Sequence, residues 1–177
     1  MGRGKKLRLR RGQPAGLLPR PVSVAEEWRV DGELHRDDGP ALVLDNGTRQ
    51  WYRHGKLHRD DGPAVEYADG SRSWYLEGEL HRDDGPAVET ARGTLRWYRH
   101  DKKHREDGPA VIFPSGRERW YLNGQRHREG GPAVELRGGL FLWYRHGKKH
   151  REDGPAVESP ERLEWWVDGQ FLTFENR

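Results

Sequence analysis

Residues 74–93 read Trp-Tyr-Leu-Glu-Gly-Glu-Leu-His-Arg-Asp-Asp-Gly-Pro-Ala-Val-Glu-Thr-Ala-Arg-Gly. The same phrase, with small changes, recurs at a period of 23 residues. It carries Trp28, Trp51, Trp74, Trp97, Trp120 and Trp143 in step with His35, His58, His81, His104, His127 and His150. Gly-Pro-Ala keeps the same step, from Gly39-Pro40-Ala41 to Gly154-Pro155-Ala156. A fixed period in this range marks a repeat architecture, in which each copy buries its apolar side against its neighbours.

Two turn signals divide each copy. The first follows the aromatic pair, as in His54-Gly55, Glu77-Gly78, Asn123-Gly124, His146-Gly147 and Asp168-Gly169, with Asp101 in place of glycine in the fourth copy. The second follows the Ala-Val run, as in Asn46-Gly47, Asp69-Gly70, Arg92-Gly93, Ser115-Gly116 and Gly138-Gly139. Asn-Gly and Asp-Gly are strong hairpin signals, read here as turns with both central residues at positive φ. Short β-prone stretches such as 71–76 and 87–90 lie between the turns, and no stretch has the 3-and-4 apolar spacing of a helix. Proline in Gly-Pro-Ala lacks a donor and suits the first residue of a strand. The sequence therefore predicts an all-β fold: an elongated, single-layer antiparallel sheet, or solenoid, of about six two-stranded hairpin repeats. Twelve strands at about 4.8 Å give an array about 55–60 Å long. Alternation along a strand sends Trp and Tyr to opposite faces, with Val65, Val88, Val111, Val134 and Val157 beside the Trp stripe.

The ends differ. Residues 22–27 lead into the first copy without the usual signals. Trp165 begins a seventh copy one residue early, and Phe171-Leu172-Thr173-Phe174 stands where His-Arg-Asp-Asp-Gly-Pro-Ala is due. Residues 165–177 read as a C-terminal cap on an array spanning 25–177, since an open array needs its edges closed.

Composition alone leans toward disorder, with 32% hydrophobic and 34% charged residues and a mean hydropathy of −1.14. Eight Trp and six Tyr, most at fixed positions of the phrase, argue instead for one folded domain with a thin core. Of the 32 Lys/Arg and 29 Asp/Glu, seven basic and no acidic residues fall in 1–24, so the rest holds 25 against 29, a formal −4. Glycine and proline punctuate this basic stretch, which reads as a disordered arm. Its Arg3, Lys5, Lys6, Arg8, Arg10 and Arg11 form a candidate anion-binding segment for nucleic acid or an anionic surface. The chain has no cysteine, hence no disulfide or thiol chemistry, and no apolar run of membrane-spanning length; a cytoplasmic protein is expected.

Tyr121-Leu122-Asn123-Gly124-Gln125-Arg126-His127, followed by the turn at Gly139, resembles the MORN-repeat superfamily, in which aromatic-x-x-Gly, a basic/His segment and a second glycine turn recur. The nearest likeness is to bacterial and phage MORN-variant proteins, some labelled antitoxin components. It covers residues about 28–170. The resemblance implies a hairpin sheet, protein–protein contact or self-association, and no catalytic residues. Arg59-Asp60-Asp61-Gly62-Pro63-Ala64 stands where that family places Gly-x-Gly, which sets aside the lipid-binding role often attributed to it.

The repeated side chains are read as structural ladders. Equivalent histidines two strands apart lie about 10 Å from each other, too far to share an ion that needs ligands at about 2 Å. The paired acids recur as Asp-Asp or Glu-Asp, with Glu129-Gly130 in the fifth copy, as a turn position permits. No metal, cofactor or catalytic residue is assigned. A second period of 46 residues links Arg53-His54-Gly55-Lys56, Arg99-His100-Asp101-Lys102 and Arg145-His146-Gly147-Lys148, so basic hairpin tips alternate with acidic or neutral ones. The function expected is a non-enzymatic scaffold that binds a protein partner or self-associates through an aromatic sheet face; the resemblance implies an antitoxin- or immunity-like role. The candidate face is Tyr52, Tyr75, Tyr98, Tyr121 and Tyr144 with Arg53, Arg99 and Arg145. The alternative is a nucleic-acid or anionic-surface binder that uses the basic arm.

Overall fold

The computed structural model describes residues 5–8, as backbone, and 23–177, and among these every regular element is a β-strand. The chain divides into two compact units. The first holds the described residues up to Arg82 with Ala87–Ala91; the second holds Asp83–Pro86 with Arg92–Arg177. Each is built from hairpins about 23 residues apart, joined as an antiparallel sheet whose strand order does not close into a barrel.

In the first unit the strands pair in the order Lys5–Arg8, Val24–Val30, Leu42–Leu44, Arg49–Gln50, Val65–Glu66, Arg72–Ser73 and Val88–Glu89. In the second the order is Leu95–Arg96, Val111–Ile112, Glu118–Arg119, Val134–Leu136, Leu140–Leu142, Val157–Glu158, Arg162–Val167 and Gln170–Asn176. Each inner repeat thus gives the sheet two strands. The disordered arm expected over 1–24 falls mostly outside the described residues; within it, Lys5–Arg8 and Val24 lie in strands.

The continuous strand expected over 71–76 is broken at Trp74. Arg72–Ser73 belongs to the sheet, whereas Tyr75–Leu76 pairs with Glu79–Leu80 in a separate two-stranded ribbon. Backbone bonding explains the break. Trp74 donates its N–H to the carbonyl of Ala87 at 2.8 Å, and its own carbonyl accepts the N–H of His81 at 3.2 Å. Both Trp groups are consumed within the repeat, so the tryptophan is a corner rather than a ladder residue. The same pair of bonds forms at the corners Trp51, Trp97, Trp120 and Trp143; Trp28 makes it too but stays within the strand Val24–Val30, facing Lys6. A repeat is therefore two hairpins, one in the sheet and one ribbon set off from it. Trp and Tyr do part company, but by this corner and not by alternation along one strand.

The expected turn with both φ positive forms at Asn123-Gly124 and Asp168-Gly169 but not at Asn46-Gly47 or Asp69-Gly70. At the sheet hairpins, Gly47 and Gly70 have φ of 90° and 86°, while Asn46 and Asp69 do not enter positive φ. Leu44 donates to the carbonyl of Thr48 at 2.9 Å, and the Asn46 side chain accepts the Thr48 N–H at 2.9 Å. This is a three-residue turn closed by a left-handed glycine. The ribbons carry the two-residue turns with both φ positive: His54 47° and Gly55 72°, Glu77 51° and Gly78 90°, Asn123 51° and Gly124 83°.

The core is small and strictly repeated. Ala41, Ala64, Ala87, Ala110, Ala133 and Ala156 are all fully buried, with Val65, Val111, Val134 and Val157 beside them; Val88 is half-buried. The larger apolar surface is that of the tryptophans, and it is roofed by arginine. Arg36, Arg59, Arg82, Arg105, Arg128 and Arg151 lie over Trp28, Trp51, Trp74, Trp97, Trp120 and Trp143 at 4.0–4.3 Å from the ring centroid. Such cation–π stacks contribute about 0.5–2 kcal/mol each. The guanidinium is pinned on its edge by the acid two residues on, as in Arg59 Nε to Asp61 and Arg105 Nε to Asp107, both 2.9 Å. A second donor reaches the proline carbonyl, as from Arg151 to Pro155 at 3.2 Å.

The glycine of Gly-Pro-Ala covers the other side. A Cβ at Gly39, Gly62, Gly108, Gly131 or Gly154 would fall 2.8–3.1 Å from that arginine's Cζ. Trp, guanidinium and Gly form a three-layer stack, which accounts for Arg-Asp-Asp-Gly-Pro as one packing unit. In the fifth repeat Gly130 replaces the clamping acid, and Arg128 keeps the ring, the Pro132 carbonyl at 3.1 Å and a distant Glu135 at 3.8 Å.

Gly108→Ala should force Arg105 off Trp97 and cost about 1 kcal/mol in chemical denaturation, the low end for overpacking because a side chain can swing away. In an Arg105→Ala background the same change should be neutral or mildly stabilising, since it also restricts the unfolded chain. Equal costs in both backgrounds would remove the stack from the account.

Candidate interaction surface

The ribbons carry most of the residues singled out for binding. Two lie in the first unit, Tyr52–Arg53 with Lys56–Leu57 and Tyr75–Leu76 with Glu79–Leu80. Three lie in the second, Tyr98–Arg99 with Lys102–Lys103, Tyr121–Leu122 with Gln125–Arg126, and Tyr144–Arg145 with Lys148–Lys149. Successive ribbons are joined through the turn glycine: Gly55 donates to Leu34, Gly78 to Leu57, Gly124 to Lys103 and Gly147 to Arg126, at 2.8–2.9 Å.

The other turn residue stands at positive φ with no Gly or Asn to ease it at His54, Glu77 and His146. Its N–H is captured by the histidine of the preceding repeat. Nδ1 of His35, His58, His104, His127 and His150 accepts from His54, Glu77, Asn123, His146 and Asp168 at 3.1–3.2 Å. The other ring nitrogen, Nε2, faces the acid two residues on: 3.1 Å at Asp37, 2.9 Å at Asp60 and 3.3 Å at Glu106.

The 46-residue alternation gives these bridges two environments. At His35 and His127 the neighbour is another imidazole, His54 or His146, with ring centroids 4.5 Å apart. At His58 and His150 it is a carboxylate, with Nδ1 2.8 Å from Glu77 and 3.1 Å from Asp168. Burial, then the positive field of His146, holds the His127 ring below its ordinary value of 6.5.

The tyrosines of the candidate face are half-buried, and burial raises the Tyr52 phenol. In the second unit their rings are partly covered by cations from the ribbon's return strand. Lys103 lies 5.7 Å from the Tyr98 centroid and 5.3 Å from Tyr121, and Arg126 lies 5.2 Å from Tyr144. Arg53, Arg99 and Arg145 are exposed at the tips, as expected, but each meets an acid seven residues on: Asp60 at 2.6 Å, Glu106 at 3.8 Å and Glu152 at 3.0 Å. Arg53, then His58, holds the Asp60 carboxyl below its ordinary range. Tyr and a candidate Arg thus stand together on the ribbons at Tyr52, Tyr98 and Tyr144, with the arginine charge shared, whereas leucine follows Tyr75 and Tyr121. Of the candidate arm, Lys5, Lys6 and Arg8 lie in the strand Lys5–Arg8, and Arg3, Arg10 and Arg11 fall outside the described residues. Among the described residues no three His, Asp or Glu converge as a metal site, and no helix is long and apolar enough to cross a membrane.

At the C-terminus Trp166 takes the tyrosine position, with Lys149 at 4.2 Å from its ring and its carbonyl accepting from Arg151. Trp165, like Trp28, stays within a continuous strand. The final strand, Gln170–Asn176, has Arg162–Val167 as its only neighbour among the described residues, so the expected cap lengthens the sheet and leaves an edge.

Compared with known proteins, the sequence matches no family model and no curated protein.

The histidine bridges predict acid sensitivity in two steps. At His127 the folded chain disfavours the proton, so its contribution is full above 6.5 and is lost as pH falls through the lower folded value. Asp38, Asp60, Asp61, Asp107 and Asp153 are held below 3.8 chiefly by hydrogen bonds from arginine. Their contribution is full above 3.8 and is lost as pH falls through those lower folded values. Thermal melts between pH 8 and pH 3 should fall first in the histidine range and again in the carboxylate range. His146→Asp should raise the His127 pKa, read by NMR titration; an unchanged or lower value would contradict the assignment.

Proposed function

We propose that the chain is a non-enzymatic repeat scaffold of the cytoplasm that docks a protein partner, or a second copy of itself, through the tyrosine-bearing ribbon faces. The observation that supports this most is the repetition of one ring: a half-buried Tyr recurs on every described ribbon, followed by an exposed Arg at Arg53, Arg99 and Arg145 and by leucine at Leu76 and Leu122. Amphipathic aromatic rings and arginine are the residue types enriched where proteins meet. The repetition offers many weak, equivalent contacts and no single asymmetric cleft in which two groups are driven to opposite protonation states. The likeness to MORN-variant proteins points the same way, and the antitoxin label on some of them makes a toxin the first partner to try.

The test is capture of partner from the native host by the full chain. Reversing Arg53, Arg99 and Arg145 to Glu should weaken capture at least about tenfold, as loss of central interface arginines does. Changing Arg3, Lys5, Lys6, Arg8, Arg10 and Arg11 to Gln should leave it intact. If the first set is silent and the second abolishes a strongly salt-dependent binding, the scaffold reading fails in favour of an anion-binding arm.

A further inference from the structure

The terminal strand Gln170–Asn176 is seven residues long, and all seven are exposed. Phe171, Leu172 and Phe174 are 46%, 58% and 49% exposed, and among the described residues one side of the strand has no hydrogen-bonded neighbour. Sheet proteins guard such an edge with Lys, Pro or very short strands, because its free N–H and C=O groups recruit another chain. Gln-Phe-Leu-Thr-Phe-Glu-Asn has no Lys and no Pro, and Glu175 is its one charge. The outermost strand of the first unit reads Lys-Lys-Leu-Arg, a guarded sequence.

We propose that this strand pairs antiparallel with the same strand of a second copy, forming a two-fold dimer by continuation of the sheet. Two observations choose the occupant. The inner sheet strands are only two or three residues long, and the two other long ones, Val24–Val30 and Arg162–Val167, already have neighbours on both sides. A matching unpaired edge of seven residues is therefore supplied by another copy of Gln170–Asn176. Every pairing in the sheet is antiparallel, and antiparallel pairing of a strand with itself is what a two-fold axis generates.

The register follows from the strand's irregularity and charge. Trp165 faces Thr173 and Trp166 faces Phe171, so Leu172 is the bulged residue and Thr173–Asn176 is the regular segment. An axis at Glu175 would oppose two carboxylates. An axis at Phe174 opposes two aromatic rings, a favourable cross-strand pair, and keeps the carboxylates apart.

This edge is separate from the ribbon faces, so the two readings fail independently. Sedimentation of the full chain over a micromolar-to-millimolar range should show a monomer–dimer equilibrium. Leu172→Lys and Phe174→Lys should each raise its Kd at least about tenfold, while the Arg53, Arg99 and Arg145 reversals leave it unchanged. The chain has no native cysteine, so mild oxidation of Phe174→Cys, the residue that faces its own copy across the axis, should trap a disulfide between copies and keeps a readout if a lysine variant misfolds. A monomer throughout, a dimer indifferent to the lysines, species that grow beyond two copies, or a dimer that Phe174→Cys does not cross-link would each overturn the proposal.

Discussion

A flat ring, a flat cation and a residue without a side chain, stacked in that order, are the contact on which this fold turns. The buried aliphatic core offers one Ala and about one Val per repeat, and by itself would hold little. Tryptophan supplies the missing apolar area but would stand half in water. Arginine covers it while its charge is taken up by the acid two residues on and by the proline carbonyl. Glycine allows the approach. Remove any layer and the others lose their reason to be where they are, which explains why Trp, Arg, Gly and Pro travel together through six copies.

The second dependency is backbone bonding at the corner and the ribbon turn. A strand that breaks at Trp51, Trp74, Trp97, Trp120 and Trp143 would leave orphan polar groups if Ala and His did not receive them. A turn residue at positive φ that is His or Glu costs more than Asn or Gly would, and the imidazole of the preceding repeat meets its N–H. Coupling between repeats is thus carried by histidine Nδ1 and by glycine N–H, both fixed by position rather than by side-chain bulk.

The period, the strand content, the antiparallel hairpins and the buried Val positions were legible because they depend on spacing and on alternation within a few residues. The ribbon was not, because a Trp-Tyr pair looks like two consecutive ladder residues until the long-range bonds from Ala87 and His81 to Trp74 are known. The turn type at Asn46-Gly47 and Asp69-Gly70 was missed for a similar reason. Asn-Gly serves the two-residue turn and the glycine-closed three-residue turn alike, and the strand register decides between them. The ion pairs of the tip arginines were not legible either, because they span seven residues through a return loop whose path the sequence does not give.

The missing clamp at Gly130 has a consequence of its own. Arg128 is the one described guanidinium of its kind whose partner two residues on has no carboxylate, so its lid on Trp120 rests on a carbonyl and a remote glutamate. In a solenoid, where each copy leans only on the next, the weakest lid sets where breathing begins. Amide exchange would then radiate from residues 120–133 in the interior of the repeat series, rather than creeping inward from the termini as fraying ordinarily does.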